Sequence, residues 1–496
     1  MKIGVQELMA QSGVAFGTSG ARGLVSQMSD RVCWVYTRGF LQYLAASENL
    51  PPGSDVAIAG DLRPSTPRIM AAIADAVVQA GHRPVLCGYI PSPAVALHGL
   101  RAGVPAIMVT GSHIPADRNG IKFNKPTGEI LKDDEAGIRA QWVEIPAAHF
   151  TEDGALRAPF AAALDSHPEA VRHYAARYVD FFGRDALRGR RIGVYAHSAV
   201  GRDVVAEVFA ALGAEVTQLA RSEAFVPVDT EAIRDEDVAL ARDWSREFGF
   251  DAIVSTDGDS DRPLIADETG EWLRGDIAGI LCARFLGADA IATPVSCNTA
   301  VELCGWFSQV RRTRIGSPWV IAAMADAETS GATQVMGYEA NGGFLLHSPV
   351  WRQGRMLAPL PTRDALIVLL ALNVAAQEQD VPLSALRSAL PQRVTASDRL
   401  ANFATEKSRA IMAHFDSGDA NTDVQRLEAT FGALAGPLAT VDRTDGLRMV
   451  AVSGDILHLR PSGNAPEFRC YTEADSAERA AHLNRACLAI VKTLSV

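Results

Sequence analysis

The segment TGSHIPADRNGIK at residues 110–122 carries the side chains best suited to chemistry, with Ser112 next to His113. A free serine hydroxyl is a poor nucleophile, so Ser112 needs either activation or a modification that it keeps. The run PAIMVT, which overlaps the start of this segment, is short and apolar and predicts a buried strand. Open α/β sheets bind ligands beyond the carboxyl ends of their strands, so the loop would lie at such an edge. On this loop alone, a cap or turn role for Ser112 explains the sequence equally well.

The motif DGDSDR at residues 257–262 places three aspartates at alternating positions after the apolar run AIVS. Carboxylates this close repel one another unless a cation neutralises them, and a hard divalent ion such as Mg²⁺ prefers oxygen ligands. A solvated acidic turn and a calcium-binding loop are the alternatives. Glu268 stands at the twelfth position of a calcium loop, but Arg262 replaces that loop's turn glycine and a strand rather than a helix precedes it. The predicted metal ligands are Asp257, Asp259 and Asp261.

The segment RPSGNAPEFR at residues 460–469 contains the donors that a phosphate group requires. Guanidinium groups, a hydroxyl, an amide and a flexible backbone can each direct a hydrogen bond to a phosphate oxygen. As an isolated string, the segment is also compatible with a plain turn flanked by arginines. The candidate phosphate-binding residues are Arg460, Ser462, Gly463, Asn464 and Arg469.

Two glycine-rich segments offer further polar groups. GYEANGG at residues 337–343 sets Glu339 and Asn341 between glycines, and a carboxylate with an amide suits the hydrogen bonding of neighbouring sugar hydroxyls, although a hairpin turn has the same composition. FGTSGARG at residues 16–23 carries Arg22 in a glycine-rich turn. Its glycines do not fit the dinucleotide-binding fingerprint, and no phosphate-loop motif of nucleotide-binding enzymes occurs, so nucleotide binding is not indicated.

The composition narrows the class of protein. The 496 residues are 48% hydrophobic and 21% charged, which is typical of globular proteins and too long for a single core. The net charge of -11 argues against a general affinity for nucleic acid or anionic membranes. Seven scattered cysteines without a C-x-x-C pair favour reduced core residues in a cytosolic protein. The most apolar stretch, ALIVLLALNVAA, is too short to span a bilayer and predicts a buried helix.

The elements that must position these motifs are predicted to alternate. Strand-like runs such as DVAIAG, PVLCG and PAIMVT alternate with Ala-rich helical stretches, and similar patterns return twice more along the chain. The last ~100 residues differ, because GLRMVAVSGDILHLRP has the pattern of an antiparallel hairpin. The predicted fold class is therefore α/β, with three similar doubly wound α/β domains and a C-terminal α+β domain. The expected boundaries are residues 1–155, 156–266, 267–388 and 389–496.

Taken together and in this order, FGTSGARG, TGSHIPADRNGIK, DGDSDR, GYEANGG and RPSGNAP resemble the signatures of the α-D-phosphohexomutase superfamily, the phosphomannomutases and phosphoglucomutases. The match covers nearly the whole chain. The resemblance implies a heart-shaped, four-domain enzyme with one motif in each domain: the phosphoserine loop, the metal-binding loop, the sugar-binding loop and the phosphate-binding loop.

The resemblance also implies a role for each motif. Ser112 would be the phosphoserine, and its phosphate would hold the metal together with the three aspartates. Glu339 and Asn341 would contact the sugar ring, and the segment that starts at Arg460 would bind the substrate's own phosphate. We expect Lys122, rather than His113, to act as the general acid and base. The residues that would surround the transferred phosphoryl group are Arg22, His113, Lys122 and Arg262.

The chain departs from the superfamily's pattern at several positions. Members commonly carry Ser where Asn341 stands, and many have His at the position of Gly343. Asn464 and Ala465 replace the usual Thr and Glu of the phosphate loop, and Ile114 replaces an Asn. Asn341 and Asn464 can still donate hydrogen bonds, so these substitutions are compatible with binding of a phosphosugar.

The activity implied by the resemblance is that of an intramolecular phosphotransferase in the isomerase class. It would interconvert mannose 6-phosphate and mannose 1-phosphate through a phosphoserine and a hexose 1,6-bisphosphate, with glucose phosphates as second substrates. Phosphoglucomutase and phosphoglucosamine mutase are the alternatives within this class. A serine-dependent metal phosphatase and an inactive phosphosugar-binding protein are the alternatives outside it.

The expected cofactors and partners follow from the same resemblance. Mg²⁺ is the expected cofactor, and a hexose 1,6-bisphosphate is the expected activator. The partner would be a phosphosugar substrate, with neither nucleic acid nor membrane, and the chain would be a monomer or a small homo-oligomer in the cytoplasm.

Overall fold

The computed structural model describes residues 2–17, 20–158, 160, 167–462 and 466–494. The chain divides into two compact units. The first unit comprises Met1–Ile291 and Gly316–Arg387, and the second comprises Ala292–Ile315 and Ser388–Val496. This division into two units does not test the four domain boundaries expected from the sequence, which stay a prediction.

The N-terminal region forms a layered α/β structure around a mixed sheet with the order β2-β3-β7-β6-β4-β5, in which β4 is parallel to β5 and β6. Strand β7 returns antiparallel to β6, and β8 pairs with β7. The elements are β1 (Lys2–Gly4), α1 (Val5–Ser12), β2 (Ala15–Phe16), β3 (Ala21–Leu24), α2 (Asp30–Ser47), β4 (Asp55–Gly60), α3 (Thr66–Gln79), β5 (Arg83–Tyr89), α4 (Ser92–Ala102), β6 (Ala106–Val109), β7 (Arg118–Lys125), β8 (Gly128–Glu129), α5 (Lys132–Arg139) and β9 (Trp142–Glu144).

The next region forms a four-stranded sheet with the order β11-β10-β12-β13, whose last strand is antiparallel to β12. Its elements are α6 (Pro168–Phe182), β10 (Arg191–Tyr195), α7 (Arg202–Ala211), β11 (Glu215–Leu219), α8 (Asp235–Phe248), β12 (Ala252–Thr256) and β13 (Pro263–Ala266).

In the third region, β16, β17 and β20 pair antiparallel within the first unit, whereas residues 292–315 belong to the second unit. Helix α12 is buried along nearly its whole length, which confirms the buried helix predicted from its apolar sequence. The elements of this region are α9 (Gly275–Leu286), β14 (Ala290–Pro294), α10 (Ala300–Leu303), β15 (Gln309–Thr313), α11 (Ser317–Thr329), β16 (Val335–Tyr338), β17 (Phe344–Leu346), β18 (Val350–Arg352), β19 (Arg355–Leu357), β20 (Leu360–Asp364), α12 (Ala365–Gln379) and α13 (Leu383–Arg387).

The C-terminal region is an antiparallel five-stranded sheet with the order β21-β25-β24-β23-β22 and helices packed against it, and it includes the predicted hairpin as β23 and β24. Its elements are β21 (Val394–Leu400), α14 (Thr405–Phe415), α15 (Ala420–Ala435), β22 (Leu438–Asp442), β23 (Leu447–Ala451), β24 (Ile456–Pro461), β25 (Phe468–Ala474) and α16 (Ala477–Thr493).

All four motif loops connect two antiparallel strands. The loops join β6 to β7, β12 to β13, β16 to β17 and β24 to β25. For the first three loops, the sequence predicted parallel strands of doubly wound α/β units, but these connections are too short for a parallel crossover, which needs a dozen or more residues. The fourth loop was predicted to lie between two strands, and it does. Each strand pair therefore projects its loop directly from the end of a sheet.

Two predictions from composition concern the described residues. All seven cysteines are free, and six of them are buried. No helix in the described part of the chain combines the length and apolar character needed to cross a membrane.

Candidate active site

The Ser112 loop is held in an uncommon backbone conformation. Ser112 is buried and has φ = 57°, in the left-handed region that few non-glycine residues adopt. Its backbone N–H donates to Thr110 Oγ1 at 2.8 Å, and the Thr110 hydroxyl donates to Asp61 Oδ2 at 2.8 Å. These contacts fix the loop in a shape that the local sequence by itself does not favour.

A buried arginine from the end of a neighbouring strand holds the same loop. Arg63 follows β4, is 1% exposed, and its Nε donates to Asp61 Oδ2 at 3.0 Å. Its two terminal nitrogens donate to backbone carbonyl oxygens of the loop, at 2.5 to 3.0 Å. One guanidinium thereby donates hydrogen bonds to four carbonyl groups at once. These carbonyls belong to Ser112, Ile114, Pro115 and Arg118.

The Ser112 hydroxyl lies against the aspartate motif. Ser112 Oγ donates to Asp257 Oδ2 at 2.6 Å and lies 3.3 Å from His113 Nδ1. Arg262 Nη1 donates to the same His113 Nδ1 at 2.7 Å, so this nitrogen is an acceptor. Burial, and then the charge of Arg262, lowers the pKa of His113 to about 3. His113 is therefore a neutral imidazole beside Ser112.

The three aspartates are buried with carboxylate oxygens within 4.8 Å of one another. Asp259 Oδ2 accepts from Ser92 Oγ at 2.6 Å and from Lys122 Nζ at 2.5 Å, and Asp261 Oδ2 accepts from Lys122 Nζ at 2.6 Å. Oδ1 of Asp259 and of Asp261 is buried without a hydrogen-bond partner. Three buried carboxylates this close together, with two oxygens that lack hydrogen-bond partners, fit a hard divalent cation.

Burial and neighbouring charges shift the pKa values of both the acidic and the basic side chains of the site. Burial and then the neighbouring Asp259 raise the pKa of Asp257. Burial also opposes the charge of Asp259, but Lys122, Ser92 and Arg363 together keep its pKa below the usual value. Burial opposes the charge of Lys122, but Asp259 and Asp261 raise its pKa overall. Burial and then the charge of Arg262 lower the pKa of Arg22 to about 10. A dianionic phosphoryl group would relieve this repulsion between cations.

The sugar-loop residues lie in a tight turn between β16 and β17. Glu339 is buried, and its Oε2 accepts from Arg363 Nη1 at 3.1 Å. Asn341 Oδ1 accepts from Gly343 N at 2.9 Å, so the amide oxygen holds the loop itself. The expected role of Asn341 in sugar binding then falls to its amide N–H groups.

The described part of the phosphate loop belongs to the second unit. Arg460 Nε lies 2.9 Å from Asp445 Oδ1, and Ser462 N donates to Glu467 O at 2.9 Å. Arg469 is the direct cross-strand neighbour of Arg460 on one side and of Arg399 on the other, which places three arginines in a row across adjacent strands. Gly463 and Asn464 lie outside the described residues.

The structure thus brings together most of the predicted residues of the first unit. Ser112, His113, Lys122, Arg262 and the aspartates form one connected network, which Arg363 joins to Glu339 through Asp261. Glu268, the twelfth position of the alternative calcium loop, instead accepts hydrogen bonds from Ser384, and the described metal-ligand cluster does not include it.

Sequence reasoning missed several polar residues of the site. Arg63 follows β4, and Arg363 lies near the end of β20. Their positions at the ends of strands are the signal that could have identified them. Ser92 begins helix α4 and offers no motif. The missed residues are Asp61, Arg63, Ser92, Asp229 and Arg363. In the second unit, sequence reasoning also missed Arg399 in the row of arginines.

Comparison with known proteins gives the family. The models of phosphoglucomutase/phosphomannomutase α/β/α domains I, II and III match residues 13–148, 171–270 and 274–394, and the C-terminal domain model matches residues 402–489. A phosphomannomutase of Sinorhizobium fredii is 43% identical over 484 residues, which cover 98% of this chain and 100% of that protein. A phosphomannomutase of Salmonella muenchen is 43% identical over 487 residues, which cover 98% of this chain and 97% of that protein.

A solved structure agrees in fold. The crystal structure of a phosphoglucomutase/phosphomannomutase family protein from Burkholderia thailandensis has a TM-score of 0.70 and 21% identity, and the match covers 97% of this chain and 98% of that chain. The fold and the site define a mutase of the isomerase class. The chain belongs to the phosphoglucomutase/phosphomannomutase family, with three α/β domains and a C-terminal domain, as the sequence predicted.

Proposed function

We propose that this enzyme interconverts mannose 6-phosphate and mannose 1-phosphate, with Ser112 as the carrier of the phosphoryl group. The observation that supports the proposal most directly is the position of Ser112 Oγ, 2.6 Å from Asp257 within a buried cluster of carboxylates and cations. The two relatives named phosphomannomutase, each 43% identical over 98% of the chain, favour mannose phosphates over other hexose phosphates.

The proposed reaction has two balanced transfers. In the first, the P–O bond to Ser112 breaks and a new P–O bond forms to the C1 hydroxyl of mannose 6-phosphate, whose proton leaves. The product is a 1,6-bisphosphate, and the Ser112 oxygen takes up a proton. In the second transfer, the 6-phosphoryl group moves to Ser112, whose hydroxyl proton leaves, and the C6 oxygen is protonated. The same bisphosphate, when supplied, phosphorylates Ser112 and acts as the activator.

The residues around Ser112 suit this transfer because phosphoryl transfer depends on position and charge neutralisation. Three cations would neutralise the charge of the phosphoryl oxygens: Arg22, Arg262 and Lys122. Lys122 is held as a cation between two carboxylates and remains the proposed proton carrier. His113 is neutral and receives a hydrogen bond from Arg262, so it positions that guanidinium.

The donor set fits Mg²⁺. Asp257, Asp259 and Asp261, together with the phosphate of Ser112, would hold the ion, since the unpartnered oxygens are hard ligands. When bound, Mg²⁺ would neutralise charge on the phosphoryl group during transfer.

Substrate recognition is assigned to the other two loops. Glu339 and the amide N–H groups of Asn341 would bind the sugar hydroxyls. The substrate's own phosphate would be bound by Arg460, Ser462 and Arg469, together with Gly463 and Asn464. Because either end of the bisphosphate must be transferred, this group of donors would accept the phosphate at C1 or at C6.

The test compares the purified enzyme on the 1-phosphates of mannose, glucose and glucosamine, with Mg²⁺ and a trace of hexose 1,6-bisphosphate. We expect the highest kcat/KM for mannose 1-phosphate, little free inorganic phosphate, and an added phosphate in the intact mass. Ser112→Ala should abolish both the adduct and turnover. A preference for glucosamine 1-phosphate, or an active enzyme that never carries the adduct, would contradict the proposal.

A further inference from the structure

Arg363 lies between the aspartate cluster and the sugar loop. It stands near the end of β20, and its side chain is 3% exposed. Its Nε donates to Asp261 Oδ2 at 3.0 Å, and its Nη1 donates to Glu339 Oε2 at 3.1 Å. One planar guanidinium therefore joins two carboxylates that belong to different loops.

The contact with Asp261 determines which carboxylate oxygen is available. Oδ2 of Asp261 accepts from both Arg363 and Lys122, while Oδ1 has no hydrogen-bond partner. The two cations thus fix the position of Oδ2, and Arg262 Nε lies 3.7 Å from Oδ1. Without Arg363, Lys122 would be the remaining hydrogen-bond donor to Oδ2, and Lys122 also binds Asp259.

The sugar loop is shaped around the same side chain. A Cβ atom at Gly343 would lie 2.6 Å from Arg363 Cδ, so any larger residue at position 343 would displace the arginine. Glu339 is 3% exposed, and a buried carboxylate without a paired cation is costly. The position of Glu339 therefore depends on Arg363.

We propose that Arg363 is a positioning residue that couples cation binding at the aspartates to sugar binding at Glu339. This inference rests on the proposed function for the identity of the two ligands. Because the guanidinium is rigid, a carboxylate that shifts on ligand binding moves the other through Arg363. Coupling between two sites is reciprocal, so the cation strengthens sugar binding by the same factor as the sugar strengthens cation binding.

The test measures direct binding, with Mn²⁺ as the cation probe followed by electron paramagnetic resonance, with and without saturating mannose 6-phosphate. In the wild-type chain we expect mannose 6-phosphate to increase the Mn²⁺ affinity about fivefold. Arg363→Met should weaken Mn²⁺ binding about tenfold and abolish the coupling, since a charge-assisted hydrogen bond is lost at each end. In Arg363→Lys, the ammonium group is too compact to reach both carboxylates, so Mn²⁺ affinity and coupling should fall by smaller amounts. This variant replaces Arg363→Met if the latter does not fold.

Glu339→Gln separates the two ends of the contact. It should leave Mn²⁺ affinity within about twofold of wild type, raise the Kd for mannose 6-phosphate, and abolish the coupling. Arg242→Lys, in an exposed ion pair with Glu271, is the matched control and should change nothing.

Two outcomes would overturn the inference: unchanged Mn²⁺ affinity in the Arg363 variants, or full coupling in Glu339→Gln. A wild-type chain that binds neither probe would overturn it as well. A wild-type chain that binds both ligands with coupling but does not turn over hexose phosphates would contradict the proposed function alone.

Discussion

At the scale of the residue, the two oxygens of each metal-site carboxylate have different environments. Oδ2 of Asp259 accepts hydrogen bonds from Ser92 and Lys122, while Oδ1 has no partner. Burial without a hydrogen-bond partner is costly for a charged oxygen, and a bound cation would compensate for this cost. The carboxylate is thereby oriented before a cation binds.

Asp259→Asn tests this orientation. The amide keeps an oxygen but loses the negative charge, so Mn²⁺ affinity should fall at least about tenfold, and Mg²⁺-dependent turnover should fall with it. Metal titration and steady-state kinetics measure the two effects. Asp243→Asn, whose carboxylate pairs with Arg246 at the surface, should behave as wild type. A fully active Asp259→Asn enzyme would show that the carboxylates are structural.

At the scale of the element, each candidate loop joins two antiparallel strands, and the Ser112 loop depends on a side chain from another element for its shape. Arg63, which follows β4, binds three carbonyl groups of the Ser112 loop between β6 and β7 and a fourth at the first residue of β7. The strand order places β4 next to β6, which is why a residue 49 positions earlier can reach the loop.

Arg63→Met should loosen this loop and leave Asp61 buried without its cation. We expect the free energy of unfolding to fall by about 3 kcal/mol and kcat to fall about a hundredfold. In Asp61→Asn/Arg63→Met, the unpaired charge is gone, so urea unfolding should show partial recovery of stability while kcat stays low. Recovery of kcat in the double variant would mean that Arg63 serves stability alone.

The row of arginines across β21, β25 and β24 is the corresponding feature of the second unit. Like charges on neighbouring strands destabilise a sheet unless anions compensate them. Arg460→Ala removes a directed donor to phosphate, so KM should rise about tenfold or more with a smaller change in kcat. Arg485→Ala, exposed on α16, is the control in steady-state assays. A change in kcat alone would require a different phosphate-binding residue.

At the scale of the whole molecule, each unit contains a buried histidine whose protonation in acid would destabilise the fold. Burial is the main cause that lowers the pKa of His197, in the first unit, and of His458, in the second, to about 4. Each Nε2 donates to a backbone carbonyl, and each Nδ1 is buried without a hydrogen-bond partner. Asp445, Arg448 and Arg460 also act on the charge of His458, and the two arginines disfavour it.

These histidines predict a loss of stability in acid. The unfolded chain takes up protons near pH 6.5, whereas the folded histidines take them up near pH 4, so stability is full above pH 6.5 and falls as the pH drops to about 4. Each histidine contributes up to about 3 kcal/mol to this loss. His458→Gln and His197→Gln should each flatten the dependence of the unfolding free energy on pH between 6.5 and 4. Unchanged curves would mean that the carboxylates dominate acid unfolding.

The sequence by itself determined the family and the fold class, and it predicted the loops to which we assign the chemistry. Those features are local, because a motif such as DGDSDR or TGSHIPADRNGIK keeps its residue types next to one another along the chain. The apolar pattern likewise predicted the buried helix α12 and the hairpin of β23 and β24.

Only the tertiary structure decided which distant residues support those loops. Arg63 and Arg363 are ordinary charged residues in the sequence, and their roles depend on strand order and on burial with specific carboxylates. The antiparallel return of β7, β13 and β17 was also missed, because short apolar runs do not reveal the direction of the next strand. Ion pairs between residues far apart in the chain form only after packing removes water from them, so they leave no local pattern to detect.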